Sequence, residues 1–373
     1  MVNIQTIGKN IRKNREKMGI TQLELSQKLL VSFQAVSAWE RGLTLPDLVN
    51  AAKLANFFNI KLDTLLQDTE SHFFVGIDGG AEKTEFVLFE KDGYIRKRLV
   101  LEGISLNNNG MEKSIEVLNR GLEEIFDGTS ALSIFAGISG VTMGNGISVL
   151  KNALVERYDV SVNVDTDAIN VLAMANEPDN AAAVICGAES CVYLRNNYRL
   201  TRIGGWGHIF DGAGSAYDIG REAVSHTLAV YDGLENKSVL SELVEKYVDG
   251  DIWASLSSIY QNGRKYIASF AQLVVEADAL GDGVARNILE KNAHRLAVLI
   301  KSAVTKHGAP AEFVGSGDFF KNSVFKNMVE GESGVIIYSP KMPSVYGACL
   351  EAMHLNGEEI NDNFKSNFME NYR

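Results

Sequence analysis

GIDGGAEKTEFVLFEKDG, residues 76–93, is the stretch from which the fold is read. The apolar run Phe73–Ile77 enters it as a strand, Asp78-Gly79-Gly80 turns the chain, and a second strand follows over Glu85–Glu90. Lys91-Asp92-Gly93 is the turn into a third strand, Tyr94–Leu101. A strand, an aspartate, a glycine turn and a second strand can aim backbone N–H groups at a phosphate. Two glycines in a hairpin are weak evidence alone, so the neighbours matter.

Downstream, strand and helix patterns alternate. Gly110–Ile125 reads as an amphipathic helix, Leu132–Ala136 as a buried strand, Gly146–Tyr158 as a helix and Val162–Val164 as a strand. A second set runs through Ala181–Cys186, a hairpin over Cys191–Arg202, several helices including Val284–Lys306, strands at Phe313–Val314 and Val335–Tyr338, and a helix over Val345–His354. The body is therefore α/β in two comparable halves, 73–180 and 181–355. A polar tail, 356–373, is expected to be solvated, although Phe364, Phe368 and Tyr372 at four-residue spacing would also suit a short docking helix.

Upstream, the polar stretch 68–72 reads as a linker, and residues 1–67 as a separate helical head. Gly19 ends a first helix, Thr21-Gln22-Leu23-Glu24 forms a capping box, and Ser32 caps the next helix, which runs to about Arg41. Two capped helices of about eight residues across a tight turn form a helix-turn-helix. Arg15, Gly19, Thr21, Gln22, Leu25, Leu29, Val31, Ser32, Val36, Ser37, Trp39, Glu40, Gly42 and Pro46 stand at the spacings of the Cro/C1-type (XRE) family, which the head resembles throughout. The resemblance implies that Ser32–Arg41 enters the major groove of double-stranded DNA. Phe33, Gln34 and Ser37 would face base edges, Gln34 being suited to adenine, with Ser32 at the start of the reading helix. Gln22, Lys28 and Arg41 would meet phosphates, Val36 and Trp39 would pack inward, and such heads work as homodimers.

Bulk properties agree. Apolar residues form 46% and charged residues 22% of 373, a soluble globular balance, and no run approaches the roughly 18 apolar residues of a membrane span. Three cysteines without C-x-x-C spacing argue against a disulfide framework or zinc site, and point to the cytosol. Net charge is −11, yet residues 1–68 carry +3 and the remainder −14, a small basic head on an acidic body.

Three further motifs give the body a family. VDTDAINVLAMA (164–175) puts Asp167 at a helix start after a strand, where it could take a hydroxyl proton. IGGWGHIFDGAGSAYDIGREAV (203–224) is a glycine-rich loop feeding a helix, and Pro343, Val345, Gly347 and Ala348 close the set. Residues 73–355 resemble the N-acetylglucosamine kinase branch of the BadF-type ATPases, in the sugar kinase/Hsp70/actin superfamily, with a duplicated ribonuclease H-like fold. The resemblance implies Asp78 as the phosphate and Mg²⁺-side carboxylate, with Gly79, Gly80, Lys83, Thr84, Gly187 and Ser190 on the nucleotide. It implies Asn107, Ser139, Gly140, Thr166, Asp167, Gly205, Trp206 and Asp211 on the sugar, and Asp167 as the base of an active kinase using ATP and Mg²⁺. Trp206 equally suits a core position, Asn107 a turn and Asp167 a helix N-cap.

The phosphate loops depart from that family. Its D-G-G-G-T-K-T is Asp78-Gly79-Gly80-Ala81-Glu82-Lys83-Thr84, its G-T-G-S is Gly187-Ala188-Glu189-Ser190, and its G-D-E-G-S is Asp211-Gly212-Ala213-Gly214-Ser215. A carboxylate about 4 Å from a phosphate charge costs on the order of 4 kcal/mol at an effective dielectric near 20. The expectation is a sugar or amino-sugar sensor that has lost phosphotransfer, with a DNA-binding active kinase as the alternative. A third reading, an activator ATPase for a dehydratase, would need cluster-ligating cysteines, and Cys186, Cys191 and Cys349 do not suit that.

Overall fold

The computed structural model describes residues 4–66, 73–142, 144–197, 199–211 and 213–372, so the expected linker 68–72 lies outside the described residues. The head comprises α1 (Ile4–Lys17), α2 (Gln22–Leu29), α3 (Phe33–Glu40), α4 (Leu48–Phe58) and α5 (Leu62–Leu66). Its caps are those the sequence implies. Thr21 and Glu24 form the capping box, and the Ser32 and Asp47 side chains accept from the amides three residues on. Ile11, Leu25, Val36 and Leu54 are completely buried at its centre.

In the body the strands are β1 (Phe73–Gly79), β2 (Lys83–Glu90), β3 (Ile95–Glu102), β4 (Ala131–Ile138), β5 (Ser161–Asp165), β6 (Asn180–Cys186), β7 (Ser190–Asn196), β8 (Arg199–Ile203), β9 (Glu312–Ser316) and β10 (Ile336–Tyr338). They form two sheets, ordered β3-β2-β1-β4-β5 and β10-β9-β6-β7-β8. In each, three antiparallel strands are extended by two parallel ones, so the halves share one topology. This is the duplicated α/β fold expected.

β1 is apolar almost throughout because both of its faces are covered. Val75 and Ile77 face a core shared with the helices Met111–Phe126 and Gly146–Arg157. Phe74 faces a second core that includes Phe135, Cys349, Met353 and, from the second sheet, Ala183 and Val314. Among the helices in that second core are Ala168–Leu172 and Ser344–Leu355. They touch at backbone distance: a Cβ added to Gly347 would sit 1.7 Å from the Asn170 carbonyl oxygen. Ser344–Leu355 thus returns from the second half to pack on β1 and β4.

The tail differs from the solvated segment expected. Phe364–Asn371 is helical, Phe364 and Phe368 are fully buried, and Phe364 packs edge-on against Phe89. Apolar burial at four-residue spacing outweighs the polar composition around it. The second half carries a helical insertion between β8 and β9, including Ala216–Tyr231, Ile252–Ser269 and Gly283–His307.

Candidate sugar cleft and DNA-reading face

Asp78 lies near the end of β1, and its Oδ1 accepts from Asn170 Nδ2 at 2.7 Å and Ser344 Oγ at 3.2 Å. The two inter-sheet helices therefore hold this carboxyl in place. Burial, and then the charge of Asp167, push it up to about 6. Burial likewise raises Asp167, against the Thr166 and Ser139 hydroxyls that bond its ionised form. Thr166 Oγ1 donates to Asp167 Oδ1 at 3.1 Å, and Asp167 gives the helix that follows no side-chain cap. Asp167 thus stands at the N-cap position of that helix without a side-chain cap bond.

A cavity of about 430 Å³ opens beside these groups. Ser139, Gly140, Thr166, Asp167, Gly205 and Trp206 all line it, six of the eight expected sugar residues. Trp206 is 64% exposed and is no core residue. Asp211 does not line this cavity; its carboxylate accepts from the Gly205 amide at 2.8 Å and the Ala213 amide at 3.3 Å, so it shapes the glycine loop. Asn107 lies in the short helix Leu106–Asn109, with its side chain outside the described residues. Cys191, Tyr193, Arg202 and Glu189 also line the cavity.

Several of the expected nucleotide residues are bonded within the protein. Thr84 is fully buried and donates to the Glu102 carbonyl, and Ser190 donates to that of Ala213. The Gly80 amide donates to the Lys83 carbonyl and the Gly187 amide to that of Glu189, so each is used within its own turn. Gly79 closes β1, and Lys83 is exposed beside Glu85. The two loop glutamates meet cations from one place. Lys265 Nζ lies 2.7 Å from Glu82 Oε1, and Arg264 pairs with Glu189. Both cations follow Gly263, whose φ of 67° breaks the helix Ile252–Ser269. Glu82 belongs to the first half and Lys265 to the second, so that pair spans the cleft. Among the described residues no group of three or more His, Cys, Asp or Glu side chains could hold a metal ion.

In the head, Gln34, Phe33, Lys28 and Arg41 are exposed, while Val36 and Trp39 are buried as expected. Ser37 is half-buried. Gln22 is half-buried, and its Nε2 donates to Glu40 Oε2 at 2.7 Å. Glu40 also takes Arg15 Nε at 2.6 Å and Nη2 at 3.0 Å, and Arg15 Nη1 donates to the Ile20 carbonyl. This buried junction ties α1, α2 and α3 together. The Ser32 hydroxyl is occupied as a cap.

Residues 75–352 match the BadF/BadG/BcrA/BcrD ATPase family, and residues 11–65 match a helix-turn-helix family. The chain belongs to the BadF/BadG/BcrA/BcrD ATPase family. It is 30% identical over 246 residues to an N-acetylmuramic acid/N-acetylglucosamine kinase of Clostridium acetobutylicum, covering 62% of this chain and 79% of the relative. A putative N-acetylglucosamine kinase structure from Chromobacterium violaceum is similar with a TM-score of 0.62 at 22% identity, over 75% of this chain and 98% of that one. A ROK-family transcriptional regulator, a homologue of the E. coli MLC protein, is similar over 98% of both chains, with a TM-score of 0.53 at 13% identity.

Within this family member, the residues that sequence reading missed are those reached by long-range contact. Asn170 is one, and its only local signal is its place three residues after Asp167. Arg264 and Lys265 carried none. Arg202 sat in a hairpin strand where a surface arginine is ordinary.

Proposed function

We propose that this chain is a transcription regulator that binds double-stranded DNA through its head, as a cytosolic homodimer. Its kinase-like cleft senses an amino sugar or derivative without transferring phosphate. Ligand acts by binding two states of the protein with different affinity.

The observation that carries this reading is the phosphate side of the cleft. Glu82 and Glu189 stand in the two loops, paired with Lys265 and Arg264, and the nearby amides of Gly80 and Gly187 are bonded within their turns. ATP with Mg²⁺ is the pair the family implies, and this donor set does not suit a triphosphate. Asp78, the expected Mg²⁺-side carboxylate, already accepts from Asn170 and Ser344. The sugar side, by contrast, keeps six expected residues around one cavity. The Clostridium relative supports an amino sugar as ligand, and the MLC homologue supports the pairing of such a fold with a DNA-binding head.

The test pairs two measurements on the intact protein: fluorescence anisotropy on DNA upstream of its gene, with and without N-acetylglucosamine and its derivatives, and a coupled ADP-release assay. Sugar should shift DNA affinity and give no turnover. Robust sugar-dependent ADP release would overturn the loss of phosphotransfer; DNA affinity indifferent to every sugar would overturn sensing. Glu82→Thr with Glu189→Gly should raise affinity for Mg-ATP.

One observation favours a second reading, an active amino-sugar kinase that also binds DNA. Asp167 is buried, held above the usual carboxylate range by that burial, and bonded by Thr166 in the cleft, where it could take a sugar hydroxyl's proton. Turnover abolished by Asp167→Asn would establish it.

A further inference from the structure

Arg202, at the end of β8, is the cation in the cavity wall without a carboxylate partner. Its Nε donates to the Gly204 carbonyl at 3.0 Å, and its guanidinium lies 4.8 Å from the Trp206 ring centroid. Among the described residues it makes no ion pair. The nearby acids are otherwise engaged: Glu189 pairs with Arg264, Asp211 takes two loop amides, and Asp167 is bonded by Thr166. Room is kept beside it, because a Cβ on Gly205 would come within 3.2 Å of Nη2. The guanidinium is thus fixed by one hydrogen bond and one stacked ring, with its terminal N–H groups left to the cavity.

We propose that the cavity takes an anionic sugar, one that carries a carboxylate or phosphate group, and that Arg202 reads the anion. This rests on the sugar-sensing reading above. A planar guanidinium pairs bidentately with a carboxylate or phosphate, and stacking on Trp206 leaves its N–H edge free to do so. A neutral amino sugar offers hydroxyls and an amide, and leaves that edge without its charge complement. Arg202 is a specificity residue in this scheme, whereas Asp167, Thr166 and Ser139 meet hydroxyls common to all the sugars.

Titration calorimetry on the full chain tests the proposal with four probes: N-acetylglucosamine, N-acetylmuramic acid, N-acetylglucosamine 6-phosphate and inorganic phosphate. At least one anionic sugar should bind about tenfold to a hundredfold more tightly than the neutral sugar, the range of a charge-assisted hydrogen bond. The stronger of the carboxylate and phosphate arms identifies the anion. Arg202→Gln should remove that advantage, so that the variant binds anionic and neutral sugars alike, while Arg202→Lys should restore part of it. Equal binding of neutral and anionic sugars by the unaltered protein overturns the proposal and leaves sugar sensing intact, whatever the variants do. Inorganic phosphate binding as tightly as the phosphorylated sugar also overturns it. Binding of no sugar at all overturns the proposal and the sensing reading together.

Discussion

Replacing Arg15 with Met should unfold the head while the body stays folded. Glu40 is 1% exposed and Arg15 11%, and two of the three hydrogen bonds to that carboxylate come from Arg15. Arg15→Met leaves a buried charge with Gln22 as its donor, and also strips the Ile20 carbonyl of a bond. Breaking a buried pair from one side costs about 3–5 kcal/mol. A head of some 60 residues has a total stability of roughly 3–9 kcal/mol, and loses about 4–8 °C of Tm per kcal/mol. The head transition should therefore fall by tens of degrees and specific DNA binding should vanish. Trp39 is the head's only tryptophan, so its fluorescence in a Trp206→Phe, Trp253→Phe background reports the head alone. Arg15→Met with Glu40→Leu should recover most of the loss, because apolar replacement of a buried pair is close to neutral. If Arg15→Met shifts the urea transition by less than about 1 kcal/mol, or the double variant is worse than the single, the junction is not what holds the three helices.

Other outcomes follow from single positions. Gly347→Ala should cost about 1–3 kcal/mol of body stability by overpacking, since the new Cβ meets the Asn170 backbone; thermal melts of the full chain check it. Leu30 turns the helix-turn-helix at φ 59° and is 87% exposed, so Leu30→Asn should raise the head's denaturation midpoint by up to about 1 kcal/mol. Asp78 has a folded value raised to about 6 from 3.8, so its protonated form stabilises the fold below pH 4 and that contribution is lost as pH rises through 6. Asp78→Asn should flatten the urea midpoint between pH 4 and 7 by about 2–3 kcal/mol. On specific DNA, Gln34→Ala should cost about 1–3 kcal/mol at one base position, while Lys28→Ala should lower the salt slope by about 1 on any sequence.

The head was legible because its determinants are local. A capping box, an N-cap and a glycine stop each act within one turn of the residue that signals them, and the structure repeats them in place. The strands were legible for the same reason, through apolar runs and turn residues. What joins the two halves was not. Asn170 reaches Asp78 across 92 residues, and Lys265 reaches Glu82 across 183. No periodicity encodes such pairs. Gln22, placed by the family pattern on DNA, also donates to Glu40 inside the head, a long-range bond the local pattern does not show. The tail had the right signal in its spacing, yet its charge outvoted two phenylalanines that cover β2 and the last body helix.

The charged pairs at the phosphate loops change the weight of the argument from repulsion. Taken alone, each glutamate would oppose a phosphate by several kcal/mol. Beside Lys265 and Arg264 the corner holds two acids and two bases, and its net charge is zero. Glu82 is 78% and Lys265 55% exposed, so the cross-cleft pair contributes at most about 1 kcal/mol. Such a contact cannot lock the halves together against a ligand that binds one state better by even a few kcal/mol. Nor does it expel phosphate by charge alone. On the proposed reading a nucleotide would be short of donors, since the Gly80 and Gly187 amides and the Thr84 and Ser190 hydroxyls are bonded within the protein. In the first half, β1 begins at Phe73 and ends beside Asp78, about 20 Å away along the strand. On the proposed reading, a sugar that drew the halves together over Asp167 would act on the half that begins with β1, without phosphate transfer.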